Sequence, residues 1–491
     1  MKTVKKSNII RILPFIFVIL ALMPIIYSCG GSSDNNGQPD GETVTDSNTS
    51  EIEYVETSAL STVASKDFGG YEFKIITQNM DNRYVDVMAE TQNGATLNDL
   101  VYSRNMSVEE KFNVKISAQD SDYGSINNMI KRNVSAGDNP FDMYLSNATA
   151  YTLASDGYLM ALNDVPYISL DKIWWDQNAI TGMSIAGNIY MITGDITPTG
   201  LMTSECILFN KKLLENRNIE FPYQTALDGK WTLDYMNLLC AGLTEDLNGD
   251  GNIKASDDLF SFTCWFDAAH ALFYGAGGVM VKKDADDIPS LTWDIDGYIR
   301  IYDKIYDLVI TNQANYSLTD HEGSFKVFKE SRAYFCDITF QKIELFLRDM
   351  QDDYGVLPMP KYDEAQTRYM TDVSGAGSML VIPVGVQDIE RTGMITEAMA
   401  AAAYDIITPS LYDVIVSTKN VRDKESAEIV QMIIRNRVFD MAHMYYIDTD
   451  DYVYNLLKAK STDVASYFAS REVSAQNKLD EIVQKFIENN K

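Results

Sequence analysis

Tyr71-Glu72-Phe73-Lys74-Ile75-Ile76 alternates apolar and charged side chains, the period of a half-buried strand. After it, Leu97, Leu100, Val101, Val108 and Phe112 recur on one face of a helix, with Thr96 as its cap. Val114-Lys115-Ile116 is a short second strand. Ile126, Met129, Ile130 and Val134 mark a second helix stopped by Gly137, and Phe141-Asp142-Met143-Tyr144-Leu145 is a third strand. Strand, helix, strand, helix, strand in this order predicts an open, mostly parallel α/β sheet. Ligands of such sheets bind beyond the carboxyl ends of the strands, which points to Gln78–Tyr84 and Ser146–Tyr151.

Further along, Ser204 to Asn210 opens a second lobe, and Trp231-Thr232 opens a helix carrying Met236, Leu239, Cys240 and Leu243. Strands are expected at Ala333–Cys336, Tyr354–Leu357 and Met379–Ile382, and from Asp388 the chain reads as almost wholly helical. A chain of 491 residues exceeds what one core usually serves, which also predicts two lobes. No internal repeat or heptad pattern is present.

Upstream of the first strand lies a leader. Lys2, Lys5, Lys6 and Arg11 precede an apolar stretch from Ile12 to Ile26, too short for a comfortable membrane span and interrupted by Pro14 and Pro24. Ile26-Tyr27-Ser28-Cys29-Gly30 then resembles a bacterial lipobox, so residues 1–28 are expected to be cleaved and Cys29 to carry lipid; a plain N-terminal anchor is the alternative. Either places the body outside the cytoplasm. Residues 29–66, rich in Gly, Ser, Thr, Asn and Asp, read as a flexible acidic tether.

The chain carries 41 basic and 70 acidic residues, a net charge of −29, and loss of the leader makes it more negative still. Such a surface repels nucleic acid and suits neutral or cationic ligands or a divalent cation, although it also serves solubility alone. Cys206, Cys240, Cys264 and Cys336 sit among apolar neighbours, as core cysteines do, and form no C-x-x-C pair. The chain has three histidines, His270, His321 and His443, which leaves little room for His-based catalysis.

Asp246-Leu247-Asn248-Gly249-Asp250-Gly251-Asn252-Ile253 matches the start of a twelve-residue calcium loop ending at Asp257. Calcium takes six to eight hard oxygens, so side chains at alternate positions must converge as the loop curls. Asp246, Asn248 and Asp250 supply side-chain oxygens, Asn252 a backbone carbonyl, and Asp257, with Asp258 competing, the last position. Extracellular loops of this type bind at about 10⁻⁴–10⁻³ M, which suits a structural Ca²⁺. A calcium-free Asn/Gly turn is the alternative.

The lipobox, the acidic tether, the strand Tyr71–Ile76, Trp174-Trp175-Asp176, Trp231-Thr232, the Asp246–Gly251 turn and Tyr354-Gly355-Val356-Leu357-Pro358-Met359-Pro360-Lys361-Tyr362-Asp363-Glu364 follow one another in an order that resembles family 1 extracellular solute-binding proteins. These are the capture subunits of carbohydrate ABC importers, and the resemblance covers about residues 67–440. It implies a two-lobed, periplasmic-binding-protein-like α/β fold of type II, with a hinge between the lobes and a helical C-terminus. One lobe comprises 67–203 plus about 375–425, the other 204–374 plus about 426–491. It further implies a sugar or oligosaccharide ligand, ABC permease membrane subunits as partners, and a monomeric, lipid-anchored protein that is not an enzyme. Site residues implied in this way are Gln78, Asn79, Asp81 and Arg83 after the first strand and Ser146, Asn147 and Thr149 after the third. In the second lobe they are Trp265 and Asp267, Asp337 and Thr339, and Asp372 and Ser374 where the chain re-crosses. Trp265 either stacks on ligand or is buried beneath the cleft, and Asp267 and Asp337 either bind or cap helices. Trp174 and Trp175 read as core or hinge packing.

A lipid-anchored glycoside hydrolase competes with this reading. It requires two carboxylates about 5–5.5 Å or 6.5–9.5 Å apart, for which the sequence has no local signature. A non-transport sugar-binding surface lipoprotein is a third reading.

Overall fold

The computed structural model describes residues 58–317, 321–416, 423–447 and 451–489. The leader, Cys29 and the tether up to residue 57 lie outside the described residues. Structure begins before the expected tether boundary. Ala59–Thr62 is a helical turn whose Ala59 and Leu60 amides donate to the Asp405 carboxylate, each at 3.0 Å.

The first lobe is organised by a four-stranded sheet. Its strands are β1 (Tyr71–Gln78), β2 (Val114–Ser121), β3 (Met143–Ser146) and a late arrival from residues 379–381. The helices α1 (Thr96–Phe112) and α2 (Ser125–Ala136) are the two crossovers between the first three strands. Helix α1 ends on Asn113 and α2 on Gly137, both in the left-handed conformation that releases a helix into the next strand. Thr96 does not cap α1 but is its first residue. Asp99 instead turns back to accept the Asn93 and Gly94 amides. Both β2 and β3 pair with β1 in parallel, as the strand and helix order predicts.

The second lobe is built on β4 (Glu205–Asn210), β5 (Phe260–Trp265), β6 (Asn315–Ser317), β7 (Ala333–Thr339) and β8 (Tyr354–Leu357), in the order β8-β4-β7-β5-β6. Strand β4 runs opposite to the other four. Helix α3 (Leu233–Cys240) starts at Thr232, whose hydroxyl accepts the Tyr235 amide, while Trp231 is buried with its indole N–H on the Pro358 carbonyl. Cys206, Cys240, Cys264 and Cys336 are buried free thiols, as their apolar neighbours imply, and burial pushes the Cys240 thiol up to about 12.

Helix α4 (Phe340–Phe346) follows β7, and β9 (Met379–Val381) returns the chain to the first sheet, antiparallel to β3. Between the sheets, Ser204 bridges Val373, so the outgoing and returning crossings run side by side. From Asp388 onward the described residues are helical, apart from the pair Arg437–Val438, which ladders onto Thr371–Asp372. Among the described residues no helix is long and apolar enough to cross a membrane.

Helix α5 (Ile389–Ile406) packs on α1 and carries Glu397 into the core. Its carboxylate accepts the indole N–H of Trp174 and of Trp175, each at 3.0 Å, and the Ser169 amide at 3.2 Å. The paired tryptophans therefore serve packing. Burial pushes the Glu397 carboxyl up to about 7 against the pull of these donors. Glu397→Ala orphans three N–H groups and is expected to cost roughly 3–5 kcal/mol in a urea titration. A loss below about 1 kcal/mol would mean that water replaces the carboxylate.

Candidate functional site

The carboxyl ends of β1, β5 and β7 and the two inter-sheet crossings surround a cavity of about 510 Å³. This is within the usual range for small-ligand sites, about 300–1,000 Å³. Of the residues expected from sequence, Asp81, Arg83, Trp265, Asp267, Thr339, Asp372 and Ser374 line it. They are joined by Glu205, His270, Gln341, Lys342 and His443, which the sequence did not single out, and by the rings of Tyr123, Phe266, Phe325 and Tyr446.

The loop after β1 reaches the cavity through an unusual backbone. Asp81 and Asn82 both take the left-handed conformation, at φ 51° and 62°, which Asp and Asn tolerate better than other side chains. The resulting reversal brings Asp81 and Arg83 to the same wall. Asp81 then spans the cleft. Its Oδ2 pairs with Lys342 Nζ at 2.8 Å, and its carbonyl accepts from Gln341 Nε2 at 2.8 Å. Helix α4 holds both partners in place, and the Thr339 hydroxyl caps its first turn.

The opposite wall is aromatic and acidic. Trp265 ends β5 half-buried, its ring 4.2 Å from that of Phe266 and tilted by 45°. It lines the cavity instead of lying beneath it. Asp267 stands at the N-cap position of the helix Ala268–Gly275 but makes no capping bond, which leaves its carboxyl to the cavity. His270 Nε2 lies 3.2 Å from Asp451 Oδ1, and the His270 and His443 rings are 4.8 Å apart.

Burial dominates the charge state of this wall. It raises the Asp267 carboxyl to about 6, with His270 and His443 pulling the other way. Glu205 is pushed well above the glutamate range by burial and then by Asp337, Asp267 and Asp372. Asp337, two residues before Thr339 on β7, is fully buried behind the wall. Neither of its carboxyl oxygens has a hydrogen-bond partner among the described residues, and it too is pushed well up, by burial first. Burial thus favours the protonated form of both acids.

The other expected residues support the walls and do not line the cavity. Gln78 donates to the Ser146 and Ala376 carbonyls, and Asn79 to Asp122. Ser146 donates to Asn127, which itself donates to Thr149. Asn147 caps the turn that follows, accepting the Thr149 amide and hydroxyl. The cavity feels this loop through its backbone, because the Ala148 amide holds the carbonyl of cavity-lining Gly375 at 2.9 Å.

The Asp246–Asp257 loop lies apart from the cavity and curls as its spacing requires. Gly249 and Gly251 have φ of 71° and 77°, and the two Asp246 oxygens accept their amides at 2.7 Å. Asn248 accepts the Asp250 amide, and Asp250 that of Asn252. The loop is closed by Asp258, fully buried on the Leu247 and Lys254 amides, while Asp257 accepts from its neighbour Ser256. Lys254 Nζ sits 2.7 Å from Asp250 Oδ2 and holds that carboxyl below its usual range. Among the described residues no three His, Cys, Asp or Glu side chains converge as a metal site. The turn fits the motif in its backbone, with an ammonium on one ligand-type oxygen.

Two sheets whose strand ends share one polar and aromatic cavity define a two-lobed solute-capture protein. Residues 107–431 match the family described as bacterial extracellular solute-binding protein, and the chain belongs to that family, whose members work outside the cytoplasm. Similar folds include UspC of M. tuberculosis, 12% identical, with a TM-score of 0.55 over 83% of this chain and 100% of that one. The GacH receptor of Streptomyces glaucescens, solved with and without acarbose, is 15% identical, with a TM-score of 0.52 over 86% and 98%. The lacto-N-biose-binding protein of a Bifidobacterium longum ABC transporter is 13% identical, with a TM-score of 0.53 over 86% and 98%. No curated protein matches the chain.

A carboxyl whose pKa is raised on folding stabilises the protein below its unfolded pKa, about 4.3 for Glu, and that contribution is lost as pH rises through the folded value. Glu205→Gln resembles the protonated acid at every pH. Its melting temperature is therefore expected to exceed that of the parent at about pH 8 and to match it near pH 4. Equal melting curves at both would show Glu205 ionised and satisfied.

Proposed function

We propose that this protein captures a sugar or oligosaccharide between its lobes and delivers it to an ABC permease, held at the membrane by lipid on Cys29. The observation that carries the sugar is the pairing of walls in one cavity. Trp265 and Phe266 offer apolar faces to the C–H side of a sugar ring, and Asp81, Asp267, Gln341 and Asp372 offer donors and acceptors to its hydroxyls. The solved proteins of similar fold that bind acarbose and lacto-N-biose support this reading. Delivery and anchoring rest on the family and on the leader, since the chain carries no nucleotide-binding loop. A ligand that binds only the folded state raises the melting temperature by mass action, so a mono- and oligosaccharide panel tests capture directly. A selective shift with the sugar recovered intact supports it, a cleaved sugar supports the hydrolase, and no shift with any sugar overturns it. Trp265→Ala is expected to weaken the bound sugar by roughly 1–3 kcal/mol in a calorimetric titration while leaving the fold intact. Unchanged affinity would remove Trp265 from the site.

We propose in addition that the Asp246–Asp257 turn takes a structural Ca²⁺ on Asp246, Asn248, Asp250 and the Asn252 carbonyl, with Asp257 moving in as the last ligand. Support comes from the two left-handed glycines and the alternate-residue oxygens. Millimolar calcium is expected to raise the melting temperature, Asp246→Ala to abolish the rise, and Lys254→Ala to reach it at lower calcium by releasing Asp250. No calcium effect on the parent would leave the loop a hydrogen-bonded turn.

A further inference from the structure

Arg83 lines the cavity yet is only 2% exposed. Its Nε and Nη1 have no hydrogen-bond partner among the described residues. Its nearest carboxylate, on Asp81, stands 3.6 Å from Nη2 and is shared with Lys342, which lies closer at 2.8 Å. Asp86 is the other acid that acts on Arg83. Its two oxygens are already committed to the Thr199 amide and hydroxyl at 2.8 and 2.6 Å, and it also faces the buried Arg104. Arg83 and Lys342 thus share one cavity carboxylate, Asp81, and Asp86 is spent on Thr199. A guanidinium does not lose its proton in proteins, so the charge on Arg83 is fixed. Taking such a group out of water without acceptors is costly, and an anion brought by the ligand offsets that cost.

We infer that the ligand is an acidic sugar, a uronate whose carboxylate is held by Arg83 at the β1 end of the cavity. The inference rests on the reading of the site as a sugar site and specifies its class. The remaining hydroxyls of such a sugar point toward Asp267, Asp372 and Glu205 on the far wall. Burial pushes the Glu205 carboxyl and the Asp337 carboxyl behind it well up, which weakens the negative charge of that wall. An amino sugar would reverse the match, putting its ammonium beside Arg83 or leaving Arg83 without an acceptor.

The test is calorimetric titration of the protein with glucuronate, galacturonate and digalacturonate against glucose, galactose and galactosamine. At least one uronate is expected to bind about tenfold or more tightly than its neutral counterpart, as a charge-assisted hydrogen bond to a fixed cation provides. The methyl ester of that uronate, similar in shape but uncharged, is expected to lose the advantage on the parent protein, so the result does not depend on any variant folding. Arg83→Gln is expected to equalise uronate and neutral sugar without lowering the melting temperature of the free protein, and Arg83→Lys to restore part of the preference. Neutral sugars binding as well as uronates, or a preference for galactosamine, would overturn the inference while leaving sugar capture intact. A uronate preference that survives esterification would overturn the role of charge. Binding of no sugar at all would overturn both.

Discussion

Strand polarity is the constraint on which the rest of this structure depends. In each sheet one strand runs against the others, β9 in the first and β4 in the second, and each is the strand the chain enters on arriving from the other sheet. Because those two strands are reversed, the crossings arrive at the same edges where β1, β3, β5 and β7 finish. Glu205, which opens β4, therefore stands opposite Thr339, which closes β7, and Met379 stands opposite Ser146. Loops after forward strands and crossings before reversed strands are thus delivered to one place. The cavity follows from topology before any side chain is chosen. Asp81, reaching from the β1 loop to Lys342 and Gln341 on α4, is the polar contact that spans it.

Burial then decides what a ligand meets there. A net charge of −29 for the whole chain says little about the cavity, where desolvation pushes Glu205 and Asp337 well up and Asp267 to about 6. Arg83 and Lys342 stand at the opposite end, where they share Asp81. The site is polarised in a direction that composition alone does not reveal.

Much of the fold was legible in the sequence because strand alternation and helix caps are local. The first three strands, the stop at Gly137, the start at Thr232 and the packing role of Trp174 and Trp175 all follow from neighbours within a few residues. The site was legible only as far as topology reaches. The rule that ligands sit beyond strand ends pointed to the loops after β1 and β3 but not to the direction of each side chain. Asp81 and Arg83 face the cavity, whereas Ser146, Asn147 and Thr149 are taken up by Asn127 and by one another. Glu205, His270, Lys342 and His443 escaped because long-range pairing brings them in. Glu205 reaches the site through its register with Thr339, and His443 meets His270 across more than 170 residues. In the calcium-like loop the spacing specified the turn. It left Asp257 and Asp258 as rivals for the last position, and Asp258 is the one that closes the loop.

Buried charge outside the cavity provides the control for what is found inside it. Glu397 is buried and takes three N–H donors, and Asp86 is buried and held by Thr199. These groups are satisfied within the protein, as cores require. At the cavity the same chain leaves Arg83 with two nitrogens lacking acceptors, places Asp81 and Asn82 in succession in the left-handed region, and buries Asp337 without a donor. Buried nitrogens without acceptors occur elsewhere too, as on Arg437, but that side chain has a carboxylate of its own in Asp176 at 2.5 Å, whereas Arg83 shares Asp81 with Lys342. A chain that can satisfy Glu397 with two indoles had the means to satisfy Arg83. That it does not do so where two sheets converge is the physical mark of a surface shaped for something other than itself.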